Sequence, residues 1–395
     1  MAAAHRGRSG TFGFARVGLC LTTAALAWFL TGAVASRAND PEPETPTTRP
    51  TSVPSPPRDR YAPLRGIEGM IVSCPRSGRE WGRDGMVASM KELRELGVEW
   101  VGIHPYAGIR KDGSVPQWFD LTEPPVWITR PIAEAKKLGM KVMIKPHLGY
   151  WGSGFSWRGE IKFEEAAHWE RFFTEYRAWI NRVAECSAGA DLFVVGTELD
   201  QTLEHTDEWR RIIREVDSRY EGPLTYSANW TDYHRVPFWD DLDVIGVHAY
   251  FPLVDEGEEP TRFLIEAGWR RNMATLSKYS ESQKLPIVFT ELGYNHSSAT
   301  AYRPWEHETD RHPEAERIQS DCLDVALKMI ADEKRVLGAF LWKWFSEHAP
   351  PSNFSMHSDA MRTVIRRHWK RSAPTGSSTT GGAPEEGAPK GAGRG

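Results

Sequence analysis

Two stretches decide how this chain is read: LFVVGTELDQ, residues 192–201, and LPIVFTELGY, residues 285–294. Each starts as a short apolar run and places a glutamate, Glu198 or Glu291, where the run stops. Short runs rich in β-branched or aromatic residues read as strands buried on both faces. Six more of the kind surround them: GIEGMIVS (66–73), VEWVGIH (98–104), KVMIKPH (141–147), PLTYSAN (223–229), LDVIGVHAY (242–250) and VLGAFLWKW (336–344). Amphipathic helical patterns fall between most of them, at 86–97, 129–140, 163–187, 206–220, 261–281 and 314–334, with a last one at 358–369. Gly97 and Gly139 act as stops and Pro131 marks a start. Only the segment between 229 and 242 lacks a good helical pattern.

Eight strand–helix units in about 250–300 residues predict an α/β fold, a (β/α)8 TIM barrel forming a single catalytic domain over 62–372. A doubly wound sheet would announce a Gly-rich nucleotide loop after its first strand, and SCPRSGREWGRDG does not fit that pattern.

Ahead of the barrel, residues 1–35 read as a signal peptide or N-terminal anchor: a basic start, a long apolar run, and Ala33-Val34-Ala35 as a cleavage site. Residues 36–61 form a Pro/Thr/Ser-rich linker, and 373–395 a Gly/Ser/Thr/Pro tail expected to be disordered. The expected location is secreted or extracytoplasmic, with membrane anchoring if the signal is retained. Apolar residues make up 40%, charged residues 26%, and the net charge is −4. This composition carries no nucleic-acid footprint, and a monomer is expected. Cys74, Cys186 and Cys322 make neither a disulfide framework nor a metal motif. Seventeen tryptophans exceed what a core of this size needs, and sugar stacking accounts for the surplus.

A barrel of this type works at the C-terminal ends of its strands. Those ends carry His104, Lys145 and His147, Glu198, Asn229 and Trp230, His248 and Tyr250, Glu291, and Trp342 and Trp344. By alternation, Glu198 shares a side with Gly196, Val194 and Leu192, and Glu291 with Phe289 and Ile287, so both glutamates are expected to face the mouth. Two carboxylates flanking one bond suit glycoside hydrolysis with retention. Close negative neighbours are expected to raise the pKa of the acid, Glu198, while Glu291 attacks the anomeric carbon.

Glutamates ending the fourth and seventh strands resemble glycoside hydrolase clan A. With VVGTELD, VPFWDDLDVIGVHAYFPL (236–253), IVFTELGY, FLWKWF (340–345) and NFSMHSDAM (353–361), the stretch 66–370 is similar to family 113, β-1,4-mannanases. The resemblance implies Glu198 as acid/base, Glu291 as nucleophile, and Trp344 or Trp342 as the platform under the cleaved sugar. It also exposes a departure: clan A usually carries Asn before the acid/base, where Thr197 stands, and Asn229 is the candidate substitute for its contact with the sugar 2-hydroxyl.

The expected substrate is therefore a β-1,4-linked mannan or glucomannan. Another clan A β-glycosidase or β-glucanase, or a non-catalytic carbohydrate-binding barrel at the cell surface, are the alternatives. No cofactor or metal is implied. His104, His147 and His248 come from separate strands, without ligand spacing, and suit hydrogen bonds to hydroxyls or to the glutamates. Lys145 is placed against sugar or carboxylate, Tyr250 against Glu291, and Trp151, in the loop LGYWGSGFSWRGE (148–160), as a stacking platform.

Overall fold

The computed structural model describes residues 61–346 and 353–370. The signal or anchor, nearly all of the linker, and the tail lie outside the described residues. Ten strands occur among the described residues: β1 (Ile67–Ser73), β2 (Trp100–Ile103), β3 (Tyr106–Gly108), β4 (Lys141–Ile144), β5 (His147–Gly149), β6 (Leu192–Thr197), β7 (Leu224–Asn229), β8 (Ile245–His248), β9 (Ile287–Leu292) and β10 (Val336–Phe345). Eight of them close a parallel barrel in the order β1-β2-β4-β6-β7-β8-β9-β10, with β10 pairing back onto β1. β3 and β5 form a separate two-stranded parallel sheet. It continues the second and third barrel strands beyond the rim, which sequence alternation did not separate.

The helices are α1 (Asp84–Leu96), α2 (Val126–Lys137), α3 (Ala166–Cys186), α4 (Thr206–Asp217), α5 (Arg262–Gln283), α6 (Ala315–Asp332) and α7 (Asp359–Trp369). Local chemistry sets their ends. Gly97 adopts a φ of 98° after α1, and its N–H bonds back to the last turn. Thr261 and Ser358 accept backbone N–H groups at the starts of α5 and α7. α2 begins a turn earlier than its pattern suggests, at Val126 after Pro125, so Pro131 lies inside the helix. Between β7 and β8 stand two 3-10 turns, Tyr233–Arg235 and Trp239–Asp241, in keeping with the missing pattern there.

Two apolar layers hold the barrel. Ile67, Ile71, Trp100, Met143, Leu192, Val194, Val288 and Phe340 fill its interior. Residues alternating with them, among them Phe193, Val195, Ile287 and Phe289, pack outward in the layer shared with the helices. Trp100 and Phe340 meet edge to face at 5.9 Å, and Gly69 makes room for them: a Cβ there would lie 2.5 Å from the Phe340 ring.

Candidate active site

Both glutamates face the barrel mouth, but not by simple alternation. In β6, Val194 pairs with Thr225 and Thr197 with Ser227, so the strand carries one residue more than its partner. Gly196 consequently lies outward, where a Cβ would come 2.6 Å from the Trp209 ring. Glu198 follows with a φ of 53°, a left-handed conformation uncommon in a residue with a side chain. Its N–H bonds to the Ser227 carbonyl at 2.9 Å, and the Leu199 N–H to the Tyr226 hydroxyl at 2.7 Å. The turn that aims the carboxylate is thus pinned on both sides.

Glu291 is turned in the same way. Val247 pairs with Phe289 but His248 with Glu291, passing over Thr290. Thr290 accepts from Ser227 Oγ at 2.9 Å. Ile287 and Phe289 therefore pack against the helices while Glu291 enters the mouth. β10 repeats the device: Ile71 pairs with Trp342 and Val72 with Trp344, passing over Lys343. Bulges of this kind re-aim side chains beside active sites.

The mouth opens into a cavity of about 1140 Å³ lined by Glu198, Glu291, Asn229, Trp230, Tyr250, His147, Trp151 and Trp342, with Arg158, Lys343 and Trp305 among the additions. Lys145 Nζ donates to Glu291 Oε1, and Tyr250 donates its hydroxyl to Glu291 Oε2 at 2.8 Å. Arg158 Nη1 lies 2.5 Å from Glu198 Oε2, and His248 Nδ1 lies 2.8 Å from Glu198 Oε1. His248 also reaches the other carboxylate, with Nε2 3.5 Å from Glu291 Oε1. One imidazole ring touches both glutamates.

The charge balance corrects an expectation. Burial works to raise the pKa of Glu198, but the His248 ring, the Arg158 guanidinium and the Lys145 ammonium outweigh it and hold the carboxyl well below the usual range. For Glu291, burial is likewise outweighed by His248 and Lys145. In the free site, the facing positive groups outweigh burial and mutual repulsion for both carboxyls.

Several other expected residues take different places. Trp344 is fully buried and stacks on His357 at 3.7 Å, so Trp342 is the tryptophan of β10 that faces the cavity. The register slip at Lys343 separates the two. Thr197 is buried and donates its hydroxyl to the Pro146 carbonyl at 3.1 Å, turned from the cavity lining. Lys145, His248 and His104 lie one layer behind: the first two on the carboxylates, and His104 between Ser73, at 3.2 Å, and the stacked His147 ring. These three support the site instead of lining it.

His147 is different. It is buried, yet neither ring nitrogen has a hydrogen-bond partner among the described residues, and burial with the Arg158 and Lys145 charges keeps its pKa well below the usual value. A neutral imidazole offers one donor and one acceptor, which suits a sugar hydroxyl. Asn229 gives its amide N–H to Asp200 at 2.8 Å. Trp151 is 59% exposed and gathers Tyr106, Trp118 and Tyr150 around it, while Phe155 in the same loop packs on Phe163. Across the mouth, Trp230 stacks on Trp305 at 5.5 Å. Arg158, Asp200, Lys343 and Trp305 were not singled out from sequence. Arg158 belongs to the long aromatic loop, but only the fold shows that it lands on Glu198.

Residues 74–360 match Glycoside Hydrolase Family 113. The chain belongs to glycoside hydrolase family 113. Among solved structures of this family, the β-mannanase AaManA from Alicyclobacillus acidocaldarius, in complex with ManMIm, is 26% identical, with a TM-score of 0.65 over 77% of this chain and 97% of that one. A GH113 β-1,4-mannanase at 22% identity shares the fold, with a TM-score of 0.66 over 77% and 98% of the two chains. A search of the curated proteins found no match. Family 113 membership makes this barrel a glycoside hydrolase, with a polysaccharide or oligosaccharide as its substrate.

Proposed function

We propose that the protein is an exported, retaining endo-β-1,4-mannanase acting on mannan or glucomannan by double displacement. The observation that carries this reading is the pair Glu198 and Glu291, joined across His248 at the floor of one cavity. Both oxygens of Glu291 are held, by Lys145 and Tyr250. Such a carboxylate suits attack on carbon better than activation of a free water. In the first step Glu198 gives a proton to the leaving oxygen as Glu291 bonds to the anomeric carbon. In the second, Glu198 takes a proton from water, whose oxygen displaces Glu291.

Trp342 serves as the platform beneath the cleaved sugar. His147 and the amide oxygen of Asn229 take over contacts that Thr197 does not make. The Trp151 and Trp230–Trp305 surfaces on two sides of the carboxylates favour a chain running through the site, and so internal cleavage. The mannan preference follows the two mannanase structures that the chain resembles.

New reducing ends should appear from mannan and glucomannan when each is incubated with the full-length protein, and not from cellulose or xylan. Release from cellulose or xylan alone would replace the mannan reading with another β-glycan. Binding of mannan without release, unchanged by Glu291→Ala, would favour the carbohydrate-binding barrel. Export predicts a mature chain in the medium that starts at Ser36, read by N-terminal mass spectrometry.

A further inference from the structure

Lys343 is a charged group of the cavity that double displacement leaves unused. It is the residue passed over where β10 slips against β1, and it lines the cavity. Its backbone is fixed by a later stretch of chain: its N–H bonds to the Phe354 carbonyl at 2.7 Å, and its carbonyl accepts from the Met356 N–H at 3.1 Å. The half-buried side chain runs between two rings, with Nζ 5.2 Å from the centre of Trp342 and 5.4 Å from that of Phe345. Ring faces at such distances attract a cation and hold it in position. Among the described residues the ammonium has neither a hydrogen bond nor an ion pair.

The charges around it leave it in excess. Glu198 and Glu291 are the carboxyl groups lining the cavity, and even with both ionised they are matched by Arg158 and Lys145, which bond to them. Arg76, from the loop after the neighbouring β1, is bound to Glu80 at 3.1 Å. The Cys74 thiol keeps its proton, because burial pushes its pKa up to about 12. Lys343 is left as one unmatched positive charge. An ammonium drawn from water without a partner carries a cost that a bound anion offsets. Position decides which part of a substrate meets it. In the ring of strands β10 stands diametrically opposite β6, the strand that leads into Glu198. The leaving oxygen belongs at Glu198 and the retained sugar over Trp342, so Lys343 faces the half of the chain that stays on Glu291.

We infer that Lys343 selects an acidic glycan: a β-mannan whose retained half carries a uronic acid unit, with the C6 carboxylate paired to the Lys343 ammonium. In a β-1,4-linked hexose C1 and C4 are spent on linkages and C2 and C3 belong to the ring, so C6 is the carbon free to be a carboxylate. A neutral hydroxyl accepts one hydrogen bond and leaves the charge unmatched. A carboxylate matches it, through a bond about twice as strong as one between neutral groups. The inference rests on the mannanase reading and narrows its substrate. Lys343 binds the chain and takes no part in breaking it.

The test compares mannan with the same mannan partly oxidised at C6, each hydrolysed by the full-length protein. Wild type should show a kcat/KM about tenfold higher on the oxidised polymer, the size of one hydrogen bond between charged groups. Lys343→Met should lose that preference and Lys343→Arg keep it. A wild type that treats both polymers alike or favours the neutral one overturns the inference and leaves the mannanase reading standing. A preference that survives Lys343→Met overturns it too. Binding to wild type gives a measurement independent of turnover and of how the variants fold: quenching of tryptophan fluorescence by a β-1,4-mannuronate trimer and by β-1,4-mannotriose. Tighter binding of the acidic trimer supports the inference, and equal or weaker binding overturns it. Cleavage of neither polymer would remove the mannanase reading, while the two trimers would still judge Lys343.

Discussion

Asp200 lies two residues past Glu198, only 3% exposed, with one carboxylate oxygen bonded to Asn229 and the other without a partner among the described residues. Burial and, after it, the nearby Asp232 charge raise its pKa from 3.8 to about 7, against the Asn229 hydrogen bond. Between those pH values the folded chain holds a proton that the unfolded chain has released, so stability falls as pH rises from about 4 through about 7. The full cost above that window is about 4 kcal/mol, since each pH unit between the two values contributes roughly 1.4 kcal/mol. Asp200→Asn keeps an acceptor for Asn229 and removes the penalty. Its melting temperature should match wild type near pH 4 and exceed it by several degrees at pH 8; an offset independent of pH would contradict this. At this scale the sequence locates the two carboxylates of the cavity and not the charges around them. Glu198 was expected to hold its proton because Glu291 is near. The outcome depends on Arg158, 40 residues away in sequence, and on a lysine and histidine from two other strands.

Strand tops decide which side chains reach the cavity. Hydrophobic runs located all eight barrel strands, because a strand buried on both faces is apolar whatever its neighbours do. Alternation failed just where function begins: the register slips in β6, β9 and β10 each lie beside a cavity residue. A slip costs ladder bonds rather than apolar content, so nothing in the hydrophobic pattern records it. Alternation puts Glu198 and Glu291 at the mouth for an incorrect reason, and it leaves open the choice between Trp344 and Trp342, which the slip at Lys343 decides for Trp342. Lower in the barrel, fit is tighter. Gly69→Ala would drive a methyl into the Phe340 ring, itself confined by Trp100. Overpacking of this kind costs about 1–3 kcal/mol, to be read as a lowered denaturation midpoint with an unchanged slope. A neutral effect would show that the interior layer has slack.

Across the whole barrel, the tryptophans divide by role. Trp81, Trp100, Trp179, Trp209, Trp239, Trp269 and Trp344 are fully buried, whereas Trp151, Trp157, Trp230, Trp305 and Trp342 line the cavity. Composition showed the surplus, and only closure of the ring showed that Trp151 and Trp305 stand on different sides of the carboxylates. If a polymer spans both, Trp151→Ala and Trp305→Ala should each raise KM on mannan about tenfold, near 1.4 kcal/mol of binding, and leave kcat/KM on an aryl monosaccharide nearly unchanged. Equal effects on both substrates would argue against an extended cleft.

The account as a whole requires a covalent bond from Glu291 to a β-mannosyl residue. Treating the protein with a 2-deoxy-2-fluoro-β-mannoside bearing a dinitrophenyl leaving group, then mapping peptides by mass spectrometry, tests it directly. One fluoromannosyl adduct on the peptide carrying Glu291, absent in Glu291→Ala, is the expected result. Continued hydrolysis of mannan without any adduct, or an adduct on Glu198, would contradict it.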